Sequence, residues 1–82
     1  MNIEKVAEHL RELGLQVVEV YEELVETDAG IDLAGGIHIH VCQGGEVEIS
    51  RDVPGGIQAF AWFDDVLQML ETVKIKTPLI FG

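Results

Sequence analysis

The 82 residues carry five Lys and Arg against fifteen Asp and Glu, a formal charge of −10, with 48% apolar residues and one cysteine. A chain so rich in apolar side chains is not disordered, and an acidic field repels phosphate backbones and anionic lipid, which argues against nucleic-acid and membrane partners. A lone cysteine forms no internal disulfide, the opening MNIEKVAEHLREL breaks any signal-peptide core with charges, and no apolar run approaches the roughly 20 residues of a membrane span. One small cytoplasmic domain over residues 1–82 is the expectation, with no cofactor implied.

In chain order, residues 2–13 read as a helix. Ile3, Val6, Ala7, Leu10 and Leu13 recur at helical spacing. Asn2 suits the N-cap, and Gly14 suits the position just past the last turn, with Leu15 folding back on Leu10. Residues 15–27 fit either a helix or a strand. The β-branched run after Gly14 favours a strand over about 15–22.

Between 28 and 53 the pattern changes period. Ile31, Leu33, Ile37, Ile39, Val41, Val47 and Ile49 all fall at odd positions, with Asp32, His38, His40, Glu46, Glu48 and Ser50 between them. A period of two marks strands with one wet face. The pairs Gly35-Gly36 and Gly44-Gly45 read as hairpin turns. A two-residue loop at 44–45 would pair Val41 with Glu48 and mix the faces. Three-residue loops, Ala34 to Gly36 and Gln43 to Gly45, pair Leu33 with Ile37, Ile31 with Ile39, Ile39 with Ile49, Val41 with Val47 and His40 with Glu48. Gly45 then takes the left-handed position of a G1-bulge turn.

Pro54-Gly55-Gly56 ends this meander, and Ile57 to Trp62 alternates weakly, as a further strand or a lead-in. Residues 63–73 read as a helix with Asp64 and Asp65 at its start and Val66, Leu67, Leu70 and Val73 as its stripe. Pro78 is expected to stop any extension, leaving 76–82 as an apolar tail docked on its own domain or on a partner subunit. The predicted fold is α+β: a two-layer sandwich in which an antiparallel β-meander of three to five strands carries the N-terminal and C-terminal helices on one face. Odd residues face the helices and even residues face away.

On that outer face stand His38, His40 and Cys42. These are metal-ligand types, and His38, His40 and Glu48 are the candidate ligands. The spacing weighs against a site. Residues four apart on a strand lie about 13 Å apart, so His38 and Cys42 cannot share an ion, and the paired Cys or downstream His of a specific zinc signature is missing. A solvated face with a His40–Glu48 cross-strand pair is the plainer reading. A Cys42–His40 nucleophile pair is weaker, because acidic surroundings raise a thiol pKa. "GIDLAGG" and "VPGGI" lack the spacing of a phosphate loop.

Trp62 and Phe63, with Leu79 and Phe81 of the tail, are the candidate interface residues, since large apolar side chains serve as interface anchors. Glu22, Glu23 and Glu26 crowd beside Tyr21 as an acidic edge, which discourages wrong strand pairing or receives a cationic partner. With no catalytic constellation, the expectation is a small acidic non-enzymatic protein-binding or regulatory module, a homo-oligomer such as a dimer. The alternatives are an acidic inhibitor or immunity-type protein that neutralises a basic enzyme, a metal-binding protein using His38, His40 and Glu48, and a small-ligand pocket between sheet and helices.

Overall fold

In the computed structural model, which describes residues 2–22 and 29–81 and side chains as far as residue 76, helix α1 spans Ile3–Glu12. Its ends form as the sequence predicts. Asn2 Oδ1 accepts the Glu4 N–H at 3.0 Å, relieving one of the unpaired donors of the first turn. At the far end the Leu15 N–H reaches the Leu10 carbonyl at 3.1 Å and the Gly14 N–H reaches the Arg11 carbonyl at 2.9 Å. That pair of bonds is a Schellman turn, which points the chain back across the helix and into the sheet.

Five strands follow: β1 (Val17–Tyr21), β2 (Ala29–Leu33), β3 (Ile37–Val41), β4 (Val47–Val53) and β5 (Gly56–Phe63). They form one antiparallel sheet in the order β1-β2-β3-β4-β5. The register is the one that clean faces demand: Leu33 opposes Ile37, Ile31 opposes Ile39, Ile39 opposes Ile49, and Val41 opposes Val47. The β3–β4 turn closes with the Cys42 N–H on the Glu46 carbonyl at 2.8 Å and the Gly45 N–H on the Cys42 carbonyl at 2.9 Å. Gly45 holds φ +97°, the left-handed residue that lets a three-residue hairpin end in a bulge.

Both outermost strands carry a β-bulge, and the bulges explain the two ambiguous stretches of sequence. In β1, Val17 opposes Leu33 and Glu19 opposes Asp32, so Val18 is the extra residue. The bulge lets Val17 and Val20 both face the core, a spacing of three that imitates a helix, and turns Glu19 and Tyr21 outward. In β5, Ser50 opposes Ala59 and Ile49 opposes Ala61, so Phe60 is extra and the alternation slips there. Residues 57–63 are therefore strand throughout, and the helix expected from residue 63 begins later. Of the acidic edge beside Tyr21, Glu23 and Glu26 lie outside the described residues.

Helix α2 spans Val66–Phe81. Asp65 caps it: its Oδ1 accepts the Gln68 N–H at 2.8 Å, while Gln68 Oε1 accepts the Asp64 N–H at 2.6 Å. Two expectations are corrected. Leu67 is 68% exposed and Met69 is fully buried, because Val66, Met69 and Val73 share one face of a helix starting at 66. The helix also does not stop before Pro78. It breaks at Lys76 (φ −118°, ψ 22°) and resumes, so Pro78 falls in the first turn of a new helical segment, where its missing N–H has no carbonyl to satisfy. The side chains of Leu79 and Phe81 lie outside the described residues.

The core lies between the helices and one sheet face. Ile31, Leu33, Ile39, Val41, Val47 and Ile49 from the sheet meet Ile3, Val6, Ala7 and Leu10 from α1 and Met69 and Val73 from α2. Helix α1 covers β1 and β2, α2 lies against β5, and the helices touch each other. Each of these core residues is at most 5% exposed. The fold is thus α+β, with both helices on one face and, among the described residues, no element laid over the other face of the sheet. Among the described residues no helix is long and apolar enough to cross a membrane.

Candidate functional site

The uncovered face is built from every second residue. Register assigns it Glu19 and Tyr21 on β1, Asp32 on β2, His38 and His40 on β3, Glu48, Ser50 and Asp52 on β4, and Ile57, Ala59 and Trp62 on β5. Side-chain hydrogen bonds tie one half of it together. The Tyr21 hydroxyl donates to Asp32 Oδ2 at 2.6 Å, with Glu19 Oε2 as a lesser acceptor at 3.0 Å. Asp32 Oδ1 lies 2.8 Å from His38 Nδ1, and His38 Nε2 lies 2.7 Å from Asp52 Oδ1. The chain Glu19–Tyr21–Asp32–His38–Asp52 crosses four strands.

Chemistry fixes the charge of its centre. Ionised carboxylates only accept hydrogen bonds, so both nitrogens of His38 donate at once when the ring is an imidazolium, the form this geometry favours. The bonds to Asp32, then Asp52, accordingly raise the His38 pKa above the ordinary histidine value. Asp32 is partly desolvated, which pushes its pKa upward. The bonds from Tyr21 and His38 and the imidazolium charge outweigh that, and the carboxyl ends below its usual range. Tyr21 is held strongly protonated, first by the bond to Asp32 and then by that to Glu19.

Two glycines make room for the network. The ring of Tyr21 lies against Gly30, its register partner, where a Cβ would sit 3.4 Å from Tyr21 Cδ2 and 3.3 Å from the Ile39 carbonyl oxygen. Gly36 has φ +78°, and a Cβ there would fall 2.8 Å from Asp52 Oδ2. The Asp52 N–H in turn donates to the Gly36 carbonyl at 2.9 Å, so the β2–β3 turn holds the carboxylate that clamps His38.

The arrangement positions groups but leaves the central one no free hand. A general base needs a lone pair and a nucleophile needs an activating base; His38 has both nitrogens committed, and the Tyr21 phenol is harder to ionise than a free tyrosine. Of the candidate metal ligands, His40 opposes Glu48 while His38 is held by aspartates. Among the described residues no group of three or more His, Cys, Asp or Glu side chains is placed to hold a metal ion. Cys42, the one cysteine of the chain, is half-buried and flanks the β3–β4 turn.

The β5 side of the face differs. Ile57 is 66% exposed and Trp62 is 60% exposed. Phe63, the other interface candidate on this strand, opposes Val47 and packs half-buried at the core margin. Phe60, on the bulge, lies under the Arg51 guanidinium, 5.2 Å from ring centre to Cζ.

Lys and Arg are kept off the outer face, whereas acidic side chains occur in both layers, with Glu4, Glu8 and Glu12 on α1 and Glu71 on α2. Lys5 and Arg11 lie on α1, Lys74 and Lys76 on α2, and the fifth basic residue, Arg51, opposes Ile37 and Gln58 on the parity of the helix-facing side. The outer face therefore has the carboxylates of Glu19, Asp32, Glu48 and Asp52 and no Lys or Arg. Elsewhere, an open groove of about 460 Å³ runs between the two helices, lined by His9, Glu12, Leu13, Leu67, Leu70 and Lys74 among others. It lies between helix and helix, not between sheet and helix.

Sequence reasoning picked out His38 but not its partners. Pairing Leu33 with Ile37 already puts Asp32 opposite His38; Tyr21 and Asp52 had no comparable signal. Compared with known families, characterised proteins and solved structures, the chain shows no significant match, so the site is interpreted from its geometry alone.

Proposed function

We propose that this chain is a small non-enzymatic binding module whose outer sheet face receives a cationic protein partner. The observation that carries the reading is the exclusion of Lys and Arg from the outer face, which has four strand carboxylates against the one imidazole clamped between Asp32 and Asp52, together with exposed Trp62 and Ile57. Such a face attracts a basic surface and gains apolar contact where the two meet. The Asp32–His38–Asp52 clamp supports the same reading, because side chains fixed in advance lose little entropy on binding. An acidic inhibitor or immunity-type protein is the case in which that partner is a basic enzyme. A cytoplasmic setting suits the single reduced thiol.

The test is calorimetric titration with a panel of basic and acidic proteins of similar size at low and raised salt. Binding confined to basic proteins and weakened steeply by salt is the expected result. Equal binding to acidic proteins, or indifference to salt, overturns the reading.

Self-association is a second reading, favoured by Leu67 and Ile75, which are 68% and 74% exposed on α2. A homo-oligomer would use this helical layer, since two copies of the outer face repel each other. Sedimentation at high concentration decides: a monomer throughout ends the second reading and leaves the first intact.

A further inference from the structure

Within the outer face one corner has the make-up of a specific cation subsite. Trp62 on β5 directly opposes Glu48 on β4. Side chains so paired stand about 5 Å apart at Cβ, close enough to touch the same ligand group. The indole is 60% exposed. Glu46 lies two residues along from Glu48 and is exposed, its carboxylate lying over Gly44 of the β3–β4 turn, so a second negative charge borders the corner. The nearest basic residue in sequence, Arg51, falls on the opposite parity with its guanidinium over Phe60. No Lys or Arg of the chain stands at this corner; on the other side of Glu48 its register partner is His40 of β3.

We propose that Trp62 and Glu48 form a subsite for an arginine guanidinium presented by the protein partner, with Glu46 as an outer carboxylate. The plane of the guanidinium stacks on the indole, whose face is electron-rich, and its N–H groups donate to the Glu48 carboxylate. Lysine fits less well. Its ammonium is a compact, strongly hydrated point charge that neither stacks flat nor presents a parallel pair of donors. The other half of the face, where Tyr21, Asp32, His38 and Asp52 satisfy one another, supplies long-range attraction and a rigid floor, while this corner reads the chemistry of the incoming side chain. The inference rests on the outer-face reading and adds which side chain of the partner is recognised and where.

Trp62 is the only tryptophan, so intrinsic fluorescence reports directly on the corner. The experiment titrates the whole protein with an arginine-rich peptide free of aromatic residues, a lysine peptide of equal charge and length, and a neutral peptide. Fluorescence is followed in parallel with calorimetry. The expected result is a saturable fluorescence change with the arginine peptide, affinity several-fold above that of the lysine peptide, and a loss of about tenfold or more in Trp62→Ala, read by calorimetry. Glu48→Gln, which keeps shape and removes charge, is expected to shrink the arginine preference. Equal affinity for the two cationic peptides overturns the guanidinium assignment. Calorimetric binding that leaves fluorescence and Trp62→Ala unaffected overturns the subsite while the outer-face reading stands. Absence of calorimetric binding by both cationic peptides counts against both.

Discussion

The two faces of this sheet are made from alternate residues of the same strands, yet they answer to different physics. On the inner face Ile39 and Ile49 oppose each other, both essentially buried, and any side chain of the right volume and apolarity would serve. On the outer face His38, one residue away from Ile39, is held by Asp32 at 2.8 Å and Asp52 at 2.7 Å. There, donor count and charge decide what fits. The inner face holds the fold together, and the outer face can change without dissolving it. A step of one residue along a strand should therefore move a substitution from one regime to the other.

The widest gap is expected between Ile49→Ala and Glu48→Gln. The first opens a cavity in the core and should cost about 2–5 kcal/mol, a large share of a stability of about 5–15 kcal/mol for a domain. The second should stay within about 0.5 kcal/mol. Chemical denaturation of the two variants checks both. Similar losses in each would mean that the faces are not distinct.

A smaller effect tests how the network is supported from below. Gly35 and Gly36 have φ +89° and +78°, but only Gly36 crowds Asp52. Each change to alanine should cost about 1–2 kcal/mol for the left-handed backbone. Gly36→Ala should cost more than Gly35→Ala, and the excess should fall when combined with Asp52→Ala. Equal losses would detach the turn from the clamp.

The clamp itself should show in the pH dependence. His38 has a raised pKa in the folded chain, so its stabilisation is complete below the free-histidine value of about 6.5 and fades as pH rises through the folded value. Asp32 has a lowered pKa, so its contribution is present above about 3.9 and fades as pH falls through its folded value. The stability difference between the native chain and His38→Gln should be widest between about pH 4 and 6.5 and narrow above it. These groups are partly exposed, so a difference of about 1 kcal/mol is expected. A gap that widens with rising pH would contradict the imidazolium assignment. The smallest effect belongs to Trp62→Ala, whose exposed ring should leave folding stability within about 0.5 kcal/mol of the native chain.

How much of this was legible beforehand follows from the same alternation. The register of β2, β3 and β4 can be written down from Leu33, Ile37, Ile39, Val41, Val47 and Ile49, because a one-residue slip exposes a whole aliphatic row. The bulges at Val18 and Phe60 cannot, because the extra residue breaks the period on which the reading depends. That is why Tyr21 looked like a helix or strand residue of no fixed face, when the bulge turns it onto the network. Asp52 escaped notice for another reason. It lies diagonally from His38, two residues beyond the register partner Ser50, and its reach depends on the space left by Gly36. The continuation of α2 past Lys76 was hidden because Pro78 ends one helix and suits the first turn of the next equally well.

Whether a cationic partner lands on the outer face can be read residue by residue from backbone amide shifts in NMR during titration with an arginine-rich peptide. Shifts are expected to concentrate at the outer-face positions of β3, β4 and β5, His40, Glu48 and Trp62 foremost, while α1 and α2 stay still. Shifts gathered in the helical layer around Leu67 and Leu70, with the sheet unmoved, would contradict the outer-face reading.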